Sequence, residues 1–534
     1  MKTTQKINIR FTIKDLLPKP KGNKLTKVII LFSFLLLLFT ITKITSFIRI
    51  DQSPPHWDYA THINHTIDIL LAFKKGGVRS VIPYYSYYPP LIYYIAAIPI
   101  SVIGVNELIF LFINLICFTI LILGTRLFLR SSLSKDDALI SSLLILTIIM
   151  MRSGQNNLKY WEFMLDIPVT VVILSLYYSV YLFFKNKTPP NLKNSTYMGL
   201  LSSAALLIKW TSLIYILVPV VFYSHNLIKT KKWKHFWIFT SILVVLTLPW
   251  YLVHFKTLTT DLLQNAFTQG IIEQDSQGIS SLIDYIYSLI NSISTPVLLL
   301  LTAGLIRSFS NKSVINRNQL YYLNLLFLLI PSIFFIFILS NKDPRYVYPI
   351  LLLAPILLVK YTIPKLKQSE RFLYFLILLI LVFKNVFTFL PPPEIPTSTL
   401  SLTDSYLTKN NIKSVGYFFE NDSPTFNFAN VELLHKINLF NKTEFSEHFF
   451  INNFSGQNIQ YSCHFPYDPD VIAVYTSSQN HLIFSPQLSY EKQCSNNFKS
   501  KYFLAGEIMK ESEWLKLYKH KYSSSGQINN QINN

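Results

Sequence analysis

Residues 28–48, VIILFSFLLLLFTITKITSFI, form an apolar run of the length that an α-helix needs to cross about 30 Å of hydrocarbon. The 27 residues before it carry eight Lys or Arg and one acid, Asp15. The run is too long for the core of a signal peptide, and no small-residue cleavage site follows it. It therefore predicts a retained first membrane span whose amino end stays in the cytoplasm, as the positive-inside rule requires.

Similar apolar runs recur along the first 390 residues, and Lys/Arg clusters fall in every second loop between them. The later predicted spans are 108–129, 138–151, 167–184, 236–253, 294–306, 320–339, 347–359 and 372–390, with two half-helices at 197–208 and 212–223. The sequence thus predicts a polytopic α-helical membrane protein with about 11 membrane helices, the paired half-helices included.

Composition excludes several other classes of protein. Hydrophobic residues make up 51% of the 534 residues, charged residues 14%, and the mean hydropathy is +0.34, so a wholly soluble chain is excluded. The net charge of +20 lies mainly between apolar segments, which indicates membrane orientation and not nucleic-acid binding. Three cysteines without a CxxC pair exclude zinc-finger and thioredoxin-type sites.

Three regions follow from this pattern. Residues 1–27 form a basic cytoplasmic amino end, residues 28–390 a membrane domain with a large first outer loop at 49–107, and residues 391–534 a soluble domain. An odd number of crossings places the soluble domain outside the cytoplasm. Its segments 414–419 and 470–475 are typical of buried strands and 430–437 of a helix, which predicts a small α/β domain. Cys463 and Cys494 lie in it, either as a disulfide or as two free thiols.

Polar residues near the outer ends of the spans are the candidates for chemistry. Asp58 follows the first membrane exit by about ten residues, between Trp57 and Tyr59, whose rings suit the interface. His62 and His65 follow at helical spacing. A metal site built from Asp58 and the two histidines has weak support because no H-E-x-x-H motif is present. A solvated loop acid is the alternative reading of Asp58.

A second pair of acids, Glu162 and Asp166, lies at the outer start of a helix that Pro168 can begin. Four residues apart, they share one helix face, and like charges at that spacing repel. The repulsion predicts a compensating cation, a shared proton or a nearby lysine. The alternative is the ordinary preference of acids for a helix amino end.

Two cations, Lys209 and Arg345, lie at the outer ends of predicted apolar helices. Lys209 interrupts a long apolar stretch, and a lysine within a membrane segment is a functional candidate by default. Snorkelling of its ammonium to the interface is the alternative. Arg345 suits a bidentate phosphate contact, and an ion pair with Asp343 is the alternative for it. Acids and cations together at headgroup depth favour a lipid-phosphate substrate.

Taken in order along the chain, these motifs resemble the GT-C glycosyltransferases of the protein O-mannosyltransferase type, which include the lipid A aminoarabinose transferase. The resemblance covers residues 28–390. It rests on Trp57-Asp58-Tyr59, Tyr88-Pro89-Pro90-Leu91, the stretch from Glu162 to Pro168, Lys209, Pro249-Trp250, and Arg345-Tyr346 with Pro349 beyond. The sequence departs from the family pattern of two adjacent acids in the first loop, because Tyr59 follows Asp58.

The resemblance implies transfer of a sugar from a polyprenyl-phosphate donor to a protein, lipid or glycan acceptor on the outer face of a bacterial plasma (inner) membrane. Inversion by a single displacement needs a base on the acceptor hydroxyl and cations on the departing phosphate. Asp58 is the predicted base, and Lys209 and Arg345 are the predicted phosphate ligands. Glu162 and Asp166 would orient acceptor or sugar, or hold a divalent metal ion.

Trp57, Tyr59, His62 and Tyr88 complete the predicted substrate-binding set. No cofactor is certain, membrane lipids are expected partners, and no nucleic acid is expected. The competing class is a polytopic transporter or lipid flippase, which predicts charges near the bilayer midplane and an internal repeat. The sequence has neither feature, since its charges gather at one interface and its two halves do not resemble each other.

Overall fold

The first apolar run forms one helix of 27 residues, α1 (Lys24–Ile50), in the computed structural model of the protein. The structure describes residues 24–50, 57–81, 88–153, 164–264, 319–335 and 344–388, and shorter stretches between 403 and 521. The predicted span 294–306 and the two cysteines of the soluble region lie outside the described residues.

The other predicted spans within the described residues are helical. The helices after α1 are α2 (Trp57–Gly76), α3 (Val78–Val81), α4 (Leu91–Ile103), α5 (Glu107–Arg130), α6 (Lys135–Ser153), α7 (Asp166–Lys185), α8 (Leu192–Ile208), α9 (Ser212–Lys229), α10 (Trp233–Val253), α11 (Phe255–Gln264), α12 (Gln319–Ile333), α13 (Tyr348–Thr362) and α14 (Gln368–Thr388). Six helices in the described part of the chain are long and apolar enough to cross a membrane. The chain is an integral membrane protein, as predicted.

Local sequence explains how these helices begin and pack. Asn106 and Asn191 precede α5 and α8, and each side chain accepts a hydrogen bond from a backbone N–H of the first turn. At Gly199 of α8, an added Cβ would lie 3.0 Å from Cβ of Ile242 on α10. The glycine therefore allows α8 and α10 to approach closely.

The two helices around Lys209 are longer than the predicted half-helices, at 17 and 18 residues. α9 is long and apolar enough to cross a membrane by itself. Lys209 is the C-cap of α8 in extended backbone, so the break between the helices falls where it was predicted.

The first outer loop contains more helix than expected. The sequence also predicts helices in this loop, such as 91–103, and Leu91–Ile103 is helical. α2 was foreseen only from the helical spacing of His62 and His65. The buried side chains of Ile63, Ile67 and Leu70 lie at positions i, i+4 and i+7 of α2. This helical period was present in the sequence and could have identified α2.

The C-terminal region contains a five-stranded mixed sheet in the order β2-β1-β3-β5-β4. Its strands are β1 (Ser414–Phe419), β2 (Glu447–Phe450), β3 (Val471–Ser477), β4 (Tyr502–Lys510) and β5 (Glu513–His520). β1 pairs in parallel with β2 and β3, whereas β5 runs antiparallel to β3 and β4. Both predicted strands are confirmed, and Glu432, Leu433 and Lys436 within the predicted helix are helical.

Candidate functional site

Four charged side chains meet where helices begin or end. Asp58 lies in the first turn of α2, Asp166 is the first residue of α7, and Lys209 caps α8. Arg345 lies in the short 3₁₀ turn Pro344–Val347 that leads into α13. We call these four residues the paired-charge cluster, because each cation is bonded to one of the carboxylates.

The inner pair joins Lys209 to Asp166. Nζ of Lys209 donates a hydrogen bond to Oδ1 of Asp166 at 2.7 Å, and each side chain is only 6% exposed. The ammonium also lies 5.4 Å from the ring centre of Tyr88 and 5.2 Å from that of Tyr346. Lys209 therefore does not snorkel to the surface, and for Asp166 the predicted compensating group is this lysine.

The outer pair joins Arg345 to Asp58. Nη1 of Arg345 donates to Oδ2 of Asp58 at 2.5 Å, across 287 positions of sequence. Part of the Asp58 side chain remains exposed. Asp58 is therefore not merely a solvated loop acid. Asp343, the alternative partner of Arg345, lies outside the described residues.

The surrounding charges set the protonation state of Asp58. Burial raises the pKa of its carboxyl, but Arg345, by its charge and its hydrogen bond, lowers it, and His62 and Lys209 lower it further. The net pKa lies below the ordinary value. Asp58 is therefore a carboxylate throughout the neutral pH range.

His62 lies one turn after Asp58 on α2 and is held by aromatic neighbours. Its Nδ1 lies 2.9 Å from the hydroxyl of Tyr93, and its ring centre lies 5.7 Å from that of Tyr88. Burial lowers the pKa of His62 to about 3, against the raising effect of Asp58. A neutral, 5% exposed imidazole fits a role in shaping the site better than direct contact with a phosphate.

The other predicted site residues differ in whether they contact the cluster. Tyr88 contacts the cluster, whereas Tyr59 is buried on α2 with its ring 5.9 Å from that of Phe110, which is a packing contact. Trp57 lies in α2, and nothing of its side chain is described; Glu162 lies outside the described residues.

In the described ranges, no three His, Cys, Asp or Glu side chains converge as metal ligands. Asp58 and Asp166 each face a cation instead. Burial lowers the pKa of His65 to about 4, and its ring lies 5.5 Å from that of Tyr93. His65 is therefore a neutral aromatic-packed residue beside the cluster.

Two aromatic residues were missed as parts of the site. Tyr93 on α4 bonds His62, and Tyr346 packs its ring near Lys209 and parallel to Phe335 at 5.6 Å. The carbonyl of Tyr346 accepts a hydrogen bond from the hydroxyl of Tyr215 at 2.5 Å. Tyr346 adjoins Arg345 in sequence, which was a usable signal, whereas Tyr93 looks like any other residue of an apolar helix.

Two further cations lie at the opposite ends of α7 and α13. We call Lys185 and Lys360 the lysine pair. Lys360 is 1% exposed, its Nζ donates to the carbonyl of Phe128 at 2.7 Å and to the hydroxyl of Ser131, and its ammonium lies 3.7 Å from the ring centre of Phe128. The end of α5 thus encloses Lys360.

No protein-family model and no curated protein matches the sequence. Among solved structures, the chain is similar to ArnT from Cupriavidus metallidurans bound to undecaprenyl phosphate, with a TM-score of 0.54 and 12% identity over 94% of this chain and all of that one. The apo state of the same ArnT gives a TM-score of 0.53 at 12% identity, over 92% of this chain and 98% of that chain. The likeness covers nearly the whole of both chains, and the fold is of the GT-C type, as the sequence motifs predicted.

Proposed function

We propose that this protein is a membrane glycosyltransferase that moves a sugar from a polyprenyl-phosphate donor to an acceptor at the outer face of the membrane. The observation that carries the proposal is the paired-charge cluster. It brings a candidate base and two cations together at one end of the membrane helices, within a fold shared with a protein crystallised with undecaprenyl phosphate.

The position of the cluster fits a lipid phosphate. α7 begins at Asp166 and ends at Lys185, so the cluster and the lysine pair are separated by roughly 29 Å of helix, close to the thickness of the hydrocarbon layer. This separation supports a position of the cluster at headgroup depth. A transporter or flippase would instead need charges near the midplane.

The donor phosphate would exchange partners with the carboxylates. Arg345 offers a planar fork suited to phosphate oxygens, and Lys209 offers a compact charge flanked by Tyr88 and Tyr346. In the structure both cations are already neutralised by acids, which lowers the cost of keeping them in an enclosed site. A phosphate carries enough negative charge to compete for both.

The same exchange would activate the base. While Arg345 is bonded to Asp58, the carboxylate is weakly basic because its pKa is lowered. As Arg345 turns to the phosphate, Asp58 regains basicity beside the incoming acceptor hydroxyl. The acceptor oxygen then attacks the anomeric carbon, the bond from that carbon to the phosphate oxygen breaks, and the proton passes to Asp58. Polyprenyl phosphate leaves with the bonding electrons, and the configuration inverts.

Asp166 keeps Lys209 in place in this scheme, and with Glu162 it would orient the acceptor or sugar or help to hold a divalent ion. A small apolar pocket beside it is lined by residues that include Ile167, Thr170, Tyr348 and Leu352. Ile167 directly follows Asp166 in α7.

The predicted sidedness belongs to the proposal. The amino end would lie in the cytoplasm and the C-terminal region outside a bacterial plasma membrane, with protein, lipid or glycan as acceptor. A contact between Lys436 and Asp68 of α2 supports placing the C-terminal region at the same end as the cluster.

The experiment is to incubate membranes containing the protein with a panel of radiolabelled polyprenyl-phosphate sugars and to find which label moves to an acceptor. We expect one donor to be consumed, and transfer by the Asp58→Asn variant to be about 100-fold slower or more. Absence of transfer from every donor in the panel by the wild-type chain would contradict the proposal.

A further inference from the structure

Helix α2 bears Asp58 at one end and meets the C-terminal region near the other. Nζ of Lys436 lies 2.7 Å from Oδ2 of Asp68 on α2 and 2.7 Å from Oε1 of Glu432. Nδ2 of Asn64, also on α2, donates to Oε2 of Glu432 at 3.5 Å. Two side chains of α2 thus contact two side chains that are some 370 residues later in the chain.

Leu433, three residues before Lys436, is part of the apolar core of the membrane helices. Leu433 is 4% exposed and belongs to the same apolar cluster as Ile63 and Ile67 of α2, and not to the core of the C-terminal sheet. The three charged side chains are largely enclosed, with exposures of 13% for Lys436, 23% for Asp68 and 35% for Glu432. Enclosed ion pairs are less screened by water and salt than pairs on an open surface.

The contact touches the side of α2 and not its reacting end. Asp68 follows Asp58 by ten residues, which is roughly 15 Å along the helix axis. At about 100° per residue, Asn64 and Asp68 lie roughly 80° to 120° around the helix from Asp58. A contact at this position restrains both rotation and sliding of α2 without occupying the paired-charge cluster.

We propose that Lys436, with Asp68 and Glu432, is a clamp that positions α2 and so keeps the Asp58 carboxylate aligned during transfer. The inference rests on the proposed function. At its reacting end α2 is held by the Asp58–Arg345 pair and by the contact of His62 with Tyr93. The first of these must loosen when Arg345 turns to the donor phosphate. The clamp is a restraint that the donor does not disturb, and it makes Lys436 a positioning residue.

A charge exchange tests the clamp in the full chain. Lys436→Asp alone sets three carboxylates against one another, whereas Asp68→Lys with Lys436→Asp restores one cation between two acids. Lys409→Asp is the control, because Lys409 is an exposed lysine of the same region. Turnover and KM are measured with the donor that the labelled panel identifies, and backbone hydrogen exchange is measured over residues 57–76.

We expect Lys436→Asp to lower kcat about 10- to 100-fold, since small misalignments of a catalytic group have effects of that size, with KM for the donor changed less than about 3-fold. Amide exchange in α2 should rise. The double variant should return both values to within about 3-fold of the wild type, and Lys409→Asp should change neither.

Unchanged amide hydrogen exchange over α2 in Lys436→Asp would overturn the clamp. A double variant that does not fold, or whose turnover stays low, would overturn it as well. Raised exchange with normal turnover would overturn the positioning role. If exchange responds as expected while the wild-type chain transfers no label, the proposed function fails and the clamp on α2 stands.

Discussion

The paired-charge cluster and the lysine pair lie at opposite ends of the same two helices, α7 and α13, yet they hold their cations differently. Lys209 and Arg345 are bonded to carboxylates, which a phosphate can replace. Lys185 and Lys360 are bonded to carbonyls and hydroxyls at the end of α5. Those acceptors are neutral, whereas the partners of Lys209 and Arg345 are anionic.

The difference separates two reasons for a cation near the membrane interface. The last carbonyls of a helix lack partners within the helix, and its carboxyl end carries partial negative charge, so lysines there stabilise the helix terminus. The lysine pair meets this need at the end of α5. Lys209 and Asp166 also lie at helix ends, those of α8 and α7, but the Lys209 ammonium is bonded to the Asp166 carboxylate. We therefore propose ligand binding as a further reason for that pair.

Among the substitutions at the two ends, removal of the proposed base Asp58 is expected to have the largest effect on transfer. Asp58→Asn keeps the shape of the side chain but loses its basicity, so turnover should fall about 100-fold or more. Carrier-lipid binding should change little, because the cations are retained. Initial rates with the donor found in the labelled panel give the measurement. If Asp166→Asn abolishes transfer while Asp58→Asn retains most of it, the base lies in the second acidic segment.

A smaller effect is expected in the pH profile. Burial raises the pKa of Asp58 and Arg345 lowers it, so Arg345→Gln leaves burial less opposed and the pKa rises. The base must be deprotonated, so the acid limb of kcat/KM should move to higher pH in this variant. In the wild type, kcat/KM should stay at its plateau value down to a lower pH than in the variant. An acid limb at the same pH in both proteins would contradict an effect of Arg345 on the pKa of the base.

The smallest effect on transfer is expected at the lysine pair. Lys360→Met leaves the carbonyl of Phe128 without this donor, a loss of about 1 to 3 kcal/mol in stability. Transfer per folded molecule should stay within about 3-fold of the wild type. Thermal unfolding in detergent and initial rates separate the two quantities, and a rate loss as large as that of Asp58→Asn would give the lysine pair a catalytic role.

Much of the fold could be predicted because membrane helices are specified by local apolar length and by loop charge. The pairing partners could not, since Arg345 and Asp58 are 287 positions apart and nothing local to Arg345 favours Asp58 over Asp343. Likewise the pattern around Lys360 is that of a helix end followed by basic residues. Only the packing of α5 against α13 turns Lys360 into a buried helix-capping cation.

The contact of Lys436 with α2 could not be predicted from the sequence either, although the helix that contains Lys436 was predicted. The sequence predicts a helix at 430–437 within a separate soluble domain. The structure places Leu433 in the apolar core of the membrane helices. Contacts between separately predicted regions depend on tertiary geometry that sequence periodicity does not encode.

Binding of undecaprenyl phosphate to two matched variants tests the account most directly. Lys209→Met and Lys360→Met each remove one lysine, 5% and 1% exposed, by the same substitution. With purified protein in detergent, Lys209→Met should bind the lipid at least about 10-fold more weakly than the wild type, because a charge-assisted contact to the phosphate is lost. Lys360→Met should bind it like the wild type. Equal affinity in all three proteins, or a loss confined to Lys360→Met, would contradict the assignment of the paired-charge cluster as the lipid-phosphate site.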